Sequence, residues 1–175
     1  MNKMQEVLID KLTLNIGVGQ GGEKLQNAKT LLERITGKTA VITKAKVRNP
    51  TFKIKPGDNI GVKITLRKKE ADEILKKSLE VVDNKLKEKS FDKFGNLAFG
   101  VPEYIDFPGM KYDPKIGMMG FDVCVTLKKR GKRIAKRRVA QTRLPARQKV
   151  SIKEAQEFVT NSFKVNIAKE GEAEE

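Results

Sequence analysis

Apolar and polar residues alternate from Lys11 to Ile16, with Leu12, Leu14 and Ile16 on one face and Lys11, Thr13 and Asn15 on the other. A period of two predicts a half-buried strand, so Asn15 is displayed and not buried. Gly17 to Gly22 then turns into a predicted helix over about residues 23–36. In it Leu25, Ala28, Leu31, Leu32 and Ile35 form an apolar stripe, and Gly37 supplies the C-cap. Thr39 to Val47 predicts a second strand on which Ile42, Lys44 and Lys46 share a face, with Arg48 just beyond.

From Phe52 to Arg67 the even positions Phe52, Ile54, Ile60, Val62, Ile64 and Leu66 are apolar. The odd positions include Lys53, Lys55, Lys63, Thr65 and Arg67, and Pro56-Gly57-Asp58 is a turn signal between two arms. One face of this sheet is apolar and the other basic. Helices should cover the apolar face, which predicts an α+β fold: an antiparallel-rich sheet with helices packed on one face and an open basic face. Glu70 to Leu86 supplies such a helix through Ala71, Ile74, Leu75, Leu79, Val82 and Leu86.

Residues 90–120 are rich in Gly, Pro, Phe and Tyr and predict an irregular, partly packed excursion. Phe121 to Leu127 reads as another strand, with Phe121, Val123, Val125 and Leu127 toward the core. It runs into Lys128 to Arg138, where 8 of 11 residues are basic. Ser151-x-x-Glu154 is a capping box that opens a last helix with Ile152, Ala155, Phe158, Val159 and Phe163 inward. The expected organisation is a single domain over residues 1–168, a basic arm at 128–149, and an acidic disordered tail at 169–175.

Composition narrows the function. The chain has no apolar run near the roughly 20 residues that a membrane span needs. Met1 to Lys11 lacks an apolar leader core, so the expected compartment is the cytoplasm, with no membrane partner. The single Cys124 sits in an apolar run and reads as a buried structural thiol. There is no histidine, which removes the usual general base and the commonest metal ligand. The expectation is therefore a non-catalytic chain without a zinc site or a cofactor.

The net charge of +15 points to phosphate. Its distribution is uneven: residues 1–70 carry 15 basic and 6 acidic side chains, 121–150 carry 11 and 1, and the stretches between and after are near neutral or acidic. Such blocks suit a nucleic-acid backbone, and no apolar face opposes them as a membrane-surface helix would require. Gly17, Gly19 and Gly22 fit G-x-G-x-x-G between a strand and a helix. The acidic residue that would hold a ribose about 20 positions on is missing, however, and the next strand carries Lys44 and Lys46 instead. Two readings of the glycines remain: backbone N–H groups set against an RNA phosphate, or a tight turn alone. The run 128–138 is either a solvated charged loop or an arm that follows phosphates. Short polar side chains on a rigid sheet, such as Asn15 and Thr65 beside Arg67, can reach 2′-hydroxyls and base edges. With no aromatic among the odd positions of that sheet, structured RNA read by shape fits better than stacked single strands.

The segments Leu12-Thr-Leu-Asn-Ile-Gly-Val-Gly19, Val41-Ile-Thr-Lys-Ala-Lys46, Phe52-Lys-Ile-Lys55, Ile60-Gly-Val-Lys-Ile-Thr-Leu-Arg67, Phe91-Asp-Lys-Phe-Gly-Asn96 and Gly100-Val-Pro-Glu-Tyr-Ile-Asp-Phe-Pro108 carry a family likeness. In order and spacing they resemble the universal ribosomal protein number five of the large subunit, the 5S ribosomal RNA-binding family. The basic arm followed by the Ser151 helix resembles its archaeal and eukaryotic branch. The resemblance implies a constituent of the central protuberance that binds 5S ribosomal RNA and helps attach it to large-subunit ribosomal RNA. It also implies contact with P-site transfer RNA, with other central-protuberance proteins, and with a small-subunit protein through an intersubunit bridge.

The expected ribosomal RNA-facing residues are Asn15, Lys38, Lys44, Lys63, Thr65, Arg67, Lys128, Lys129, Arg130, Lys132, Arg133, Lys136, Arg137 and Arg138. The loop Lys46 to Thr51 matches the family loop that approaches transfer RNA, which makes Lys46, Arg48 and Asn49 its candidates. One place departs from the family: where it often has Gln and Pro after the glycine that ends the first helix, this chain has Lys38 and Thr39. The rival readings are a nucleotide-dependent enzyme built on the glycine turn and an unselective nucleic-acid chaperone built on the arm.

Overall fold

The computed structural model describes residues 3–19 and 21–168, so the predicted acidic tail at 169–175 lies outside the described residues. The elements are β1 (Val7–Gly17), α1 (Glu23–Thr36), β2 (Val41–Lys44), β3 (Asn59–Leu66), α2 (Lys69–Val81), β4 (Lys85–Lys87), β5 (Leu97–Val101), β6 (Phe121–Lys129), α3 (Ile152–Phe163) and β7 (Asn166–Ala168). The fold is α+β as expected, with a five-stranded antiparallel sheet in the order β2-β3-β1-β6-β5 and a separate parallel pair β4-β7.

The chain divides into two compact units, and β1, β5 and β6 each contribute residues to both. One unit comprises Thr13–Leu66 and Gly100–Val123. In it the α1 stripe Leu25, Ala28, Leu31, Leu32 and Ile35 is buried, and α1 packs on β3, whose Val62, Ile64 and Leu66 are also buried. Gly37 ends α1 in the left-handed conformation, with φ 66° and its N–H donating to the Glu33 carbonyl, 2.7 Å. Tyr104 is fully buried and its hydroxyl accepts from the Asp113 N–H at 2.9 Å, while Phe107 meets Phe121 edge-on at 5.9 Å.

The other unit is formed by the described residues of Met1–Leu12, Arg67–Phe99 and Cys124–Glu175. Ala71, Ile74, Leu75 and Leu79 of α2 and Ala155 and Val159 of α3 are its helical core. The capping box of α3 is formed as expected: the Ser151 hydroxyl accepts from Glu154 N–H, and Glu154 accepts from Ser151 N–H.

Several boundaries differ from the predicted ones. The second strand is only Val41–Lys44, and residues 45–58 form a loop in which Asn49 and Ile54 make a single isolated bridge. Phe52, expected on the core face, is 68% exposed at the tip of that loop, because the Pro50 and Pro56-Gly57 turns interrupt the alternation before it can pair. The helix expected to reach Leu86 stops at Val81, since Asp83 and Asn84 adopt left-handed φ of 51° and 53° and Leu86 is redirected into β4. Asn and Asp tolerate that region better than other side chains. The predicted irregular excursion contains β5, a member of the main sheet. Cys124 is half-buried on the outer side of β6, not buried, because the odd positions of that strand take the core.

Two glycine and capping tests follow from this packing. A Cβ on Gly61 would lie 2.7 Å from the carbonyl oxygen of Ile16 in β1 and 3.0 Å from Oγ1 of Thr43, its partner in β2. Gly61→Ala should lower stability by about 1–3 kcal/mol, read as a reduced urea midpoint. Gly21→Ala, whose Cβ would meet only the Asn59 carbonyl at 3.8 Å, should stay within about 0.5 kcal/mol of the parent. Ser151→Ala removes the cap of α3 and should cost about 1 kcal/mol in the same titration.

Candidate RNA interface

Strand alternation sets the polar surface of the first unit. While Val62, Ile64 and Leu66 are buried, Lys63 and Thr65 of β3 are exposed, as is Lys44 of β2. Asn15 of β1 is half-buried, and its Nδ2 donates to Asp122 Oδ2 of β6 at 3.4 Å. Beside this pair lies a cleft of about 430 Å³ lined by Asn15, Gly17, Gly100, Pro102, Gly120 and Asp122. Gly120 has backbone where a side chain would go: a Cβ there would lie 2.6 Å from the Pro102 carbonyl oxygen. An amide and a carboxylate on a rigid sheet offer both donors and acceptors, the groups needed to distinguish 2′-hydroxyls and base edges. Asp122 is absent from the expected set, yet the alternation that sends Phe121 and Val123 inward already places it on the open side.

The glycine turn after β1 is tied to the same unit. The Val18 and Gly19 N–H groups both donate to the Ile60 carbonyl at 2.9 Å, so these two donors face β3 and not an external phosphate. Gly19 and Gly22 have φ of 77° and 118°, which only glycine adopts without strain. The turn reading of the motif therefore has the geometry on its side. Lys38 lies exposed just past the left-handed Gly37, with its N–H directed to Thr36 Oγ1 at 3.4 Å.

The loop 45–58 carries the three residues expected to meet transfer RNA. It is organised by its own hydrogen bonds: Asn49 and Ile54 exchange N–H to carbonyl bonds of 3.0 Å, Gly57 N–H donates to Ala45 O at 2.9 Å, and Lys55 N–H donates to Asp58 Oδ2 at 2.7 Å. Asn49 is partly structural, since its Oδ1 accepts from Thr51 N–H at 3.1 Å. Lys46 and Arg48 are exposed on this frame, beside Val47 and Phe52 at 76% and 68% exposure.

In the second unit the basic arm folds back on β1. Asp10 is only 7% exposed, yet it carries a charge at the apolar end of the strand. Its carboxylate accepts from Lys128 at 2.9 Å, Lys136 at 3.2 Å and Lys132 at 3.3 Å. Burial pushes the Asp10 carboxyl up, but the hydrogen bonds of Lys128 and Lys136 and the charge of Lys132 outweigh it and hold the group well below the usual carboxylate range. The Arg67 guanidinium, exposed just after β3, reaches the Asp10 carbonyl at 3.5 Å.

The arm is compact, not an extended hairpin. Gly131 turns with φ 87°, residues 132–135 form a 3-10 turn, and Gln148 ties the return to the Arg130 carbonyl at 2.8 Å and the Met4 carbonyl at 3.0 Å. Two members of the expected set are engaged elsewhere. Lys129 is 5% exposed and pairs with Glu154 at 2.6 Å, so its side chain does not reach the surface: position 129 continues the inward register of β6. The burial of Glu154 is again outweighed by its Lys129 and Ser151 hydrogen bonds, which lower its pKa. Arg130 is exposed and pairs with Glu6 at 2.9 Å. Arg133, Arg137 and Arg138 are exposed and, with Ile134 and Val139, line a shallow depression of about 560 Å³. Among the described residues, no helix is long and apolar enough to cross a membrane.

Comparison with known proteins places this geometry. Residues 2–55 match the family model described as ribosomal protein L5, and residues 59–166 match the model for the C-terminus of the same ribosomal family. The chain is 46% identical over 170 residues to the large ribosomal subunit protein uL5 of Methanobrevibacter smithii, covering 97% of this chain and 100% of that protein. It is 47% identical over 170 residues to the uL5 of Thermoplasma acidophilum, with the same coverage. To the uL5 of Sulfurisphaera tokodaii it is 45% identical over 168 residues, covering 95% of each. With both family models matched in sequence along the chain and near-full-length archaeal relatives, the chain belongs to the ribosomal protein L5 family.

Proposed function

We propose that this chain binds 5S ribosomal RNA in the central protuberance and helps attach it to large-subunit ribosomal RNA. As a member of the ribosomal L5 family it is a non-enzymatic structural constituent of the large subunit, in the cytoplasmic ribosome. The observation that supports the finer reading is the alternation along β1 and β3: α1 packs on β3, whose Val62, Ile64 and Leu66 are buried, while Lys63 and Thr65 between them are exposed. Asn15 of β1 is half-buried, and Arg67 just after β3 is exposed. In this reading residues 1–168 act as one RNA-binding domain, with the sheet residues conferring selectivity and the arm adding backbone contacts through phosphate. Lys38 and Lys44 add exposed charge near the same strands, whereas Lys129 belongs to the core.

The preformed loop 45–58 is the proposed contact for P-site transfer RNA, through Lys46 and Arg48, with Asn49 shaping the turn. Its exposed Val47 and Phe52 supply apolar area suited to a neighbouring protein, in keeping with proposed contacts to other central-protuberance proteins and an intersubunit bridge to a small-subunit protein.

The reading is tested by binding to folded 5S ribosomal RNA and to a scrambled RNA of equal length across a salt series. The expected result is a preference for the folded RNA that persists at physiological salt, and equal affinities that collapse in parallel would reject it. Arg67→Ala should narrow that preference by about tenfold, in keeping with roughly 1–3 kcal/mol for one specific contact. A loss of equal size on both RNAs would instead assign Arg67 to general attraction.

A further inference from the structure

The arm holds two kinds of cation in two different surroundings. Lys128, Lys132 and Lys136 recur every fourth residue and converge on the single buried carboxylate of Asp10, at 2.9, 3.3 and 3.2 Å. A carboxylate offers about four acceptor sites, so three ammonium groups nearly saturate it. Drawing those lysines out to a phosphate would leave a buried charge with fewer partners, which is costly. The arginines are arranged otherwise. Among the described residues no ion pair engages Arg133, Arg137 or Arg138. With Ile134 and Val139, 39% and 78% exposed, they line one depression. Arg137 Nε donates to the Ala140 carbonyl at 2.8 Å, which fixes the plane of its guanidinium.

We infer that Arg133, Arg137 and Arg138 form the phosphate-contacting surface of the arm, and that the buried Asp10 holds Lys128, Lys132 and the 61% exposed Lys136 in an ion-paired clasp that shapes this surface without contacting RNA. The inference rests on the proposed role in ribosomal RNA binding and divides the arm's cations by task. Guanidinium groups suit the task, because their planar fork matches two phosphate oxygens and they are less strongly hydrated than ammonium. Ile134 and Val139 give the arginines an apolar bed on which the faces of riboses can lie. RNA is favoured over an acidic protein surface because the depression is lined by three guanidinium groups with no carboxylate among its lining residues, and a polyanionic backbone offers several phosphates to such a cluster.

The test measures how the affinity of the full chain for folded 5S ribosomal RNA falls with salt. Each lost phosphate contact should flatten the slope of log affinity against log salt by about 0.9 on duplex RNA-like backbone. The triple change Arg133→Gln, Arg137→Gln, Arg138→Gln should therefore flatten it by about 2–3. Lys132→Gln with Lys136→Gln should leave it within about 0.5 of the parent, below one contact, while amide exchange of residues 131–142 speeds up as the clasp loosens. Asp10→Asn, which releases the lysines from the carboxylate, should steepen the slope by about one contact or more. Equal flattening by the lysine and arginine sets overturns the inference, and so does an unchanged slope in the arginine triple, which would give that face to an acidic protein. If the parent shows no preference for 5S over scrambled RNA, the proposed function fails, yet the slopes measured on either RNA still judge the division of the arm.

Discussion

A sheet strand has two sides, and along three strands of this chain one side is buried far more deeply than the other. Along β1, β3 and β6 the buried positions recur every second residue, so each strand commits one row of side chains to the core and the next to the surface. A slip of one residue in any of them would send Lys63 or Asn15 inward and Ile64 or Leu14 into water, which fixes the register firmly. The polar positions that the strands offer to a partner depend on that alternation. On β3 the inward row is met by α1, and the alternate row, Lys63 and Thr65, is exposed.

The second constraint is charge. A chain carrying +15 cannot bring its cations together without anions to hold them, and the few acids near the arm are placed with economy. Asp10 lies at the inward position of β1, where alternation would put an apolar residue, and it collects three lysines that lie far along the sequence. Glu154 serves twice, capping its own helix and pairing with the buried Lys129. Buried pairs of this kind contribute little net stability compared with an apolar core of equal volume, but removing one partner is costly, so they specify where the arm lies. Arg133, Arg137 and Arg138 stay outside that arrangement and are exposed, whereas Arg130 pairs with Glu6. The division inferred for the arm rests on this contrast, the Asp10-bound lysines fixing its path and those three arginines facing a partner.

Much of this is legible in the residues. The α1 stripe, its Gly37 cap, the inward rows of β3 and β6 and the Ser151 capping box all agree with the periodicity, because each is a local pattern whose cause lies within a few residues. The second strand, the end of α2 and the placement of Phe52 do not, because they turn on backbone events that compete with periodicity: the turns around Pro50 and Gly57, and the left-handed pair Asp83-Asn84. β5 is hidden for another reason. Its five residues include Gly100 and stop at Pro102, and a strand that short declares itself only when a neighbouring strand accepts its hydrogen bonds.

By itself the sequence determined the chemistry of this protein: an absence of histidine, blocks of cations for a phosphate partner, and strands with one polar row. Those are matters of composition and spacing, which survive any arrangement of the chain. Only the tertiary structure decided which cations are available, because an ion pair joins residues more than a hundred positions apart, as Asp10 does with Lys128, Lys132 and Lys136. It alone buried Lys129, set Asp122 beside Asn15, and turned the glycine motif's N–H groups onto Ile60. Availability to a partner is a property of what else lies within a few ångströms, and that distance has no counterpart along the chain.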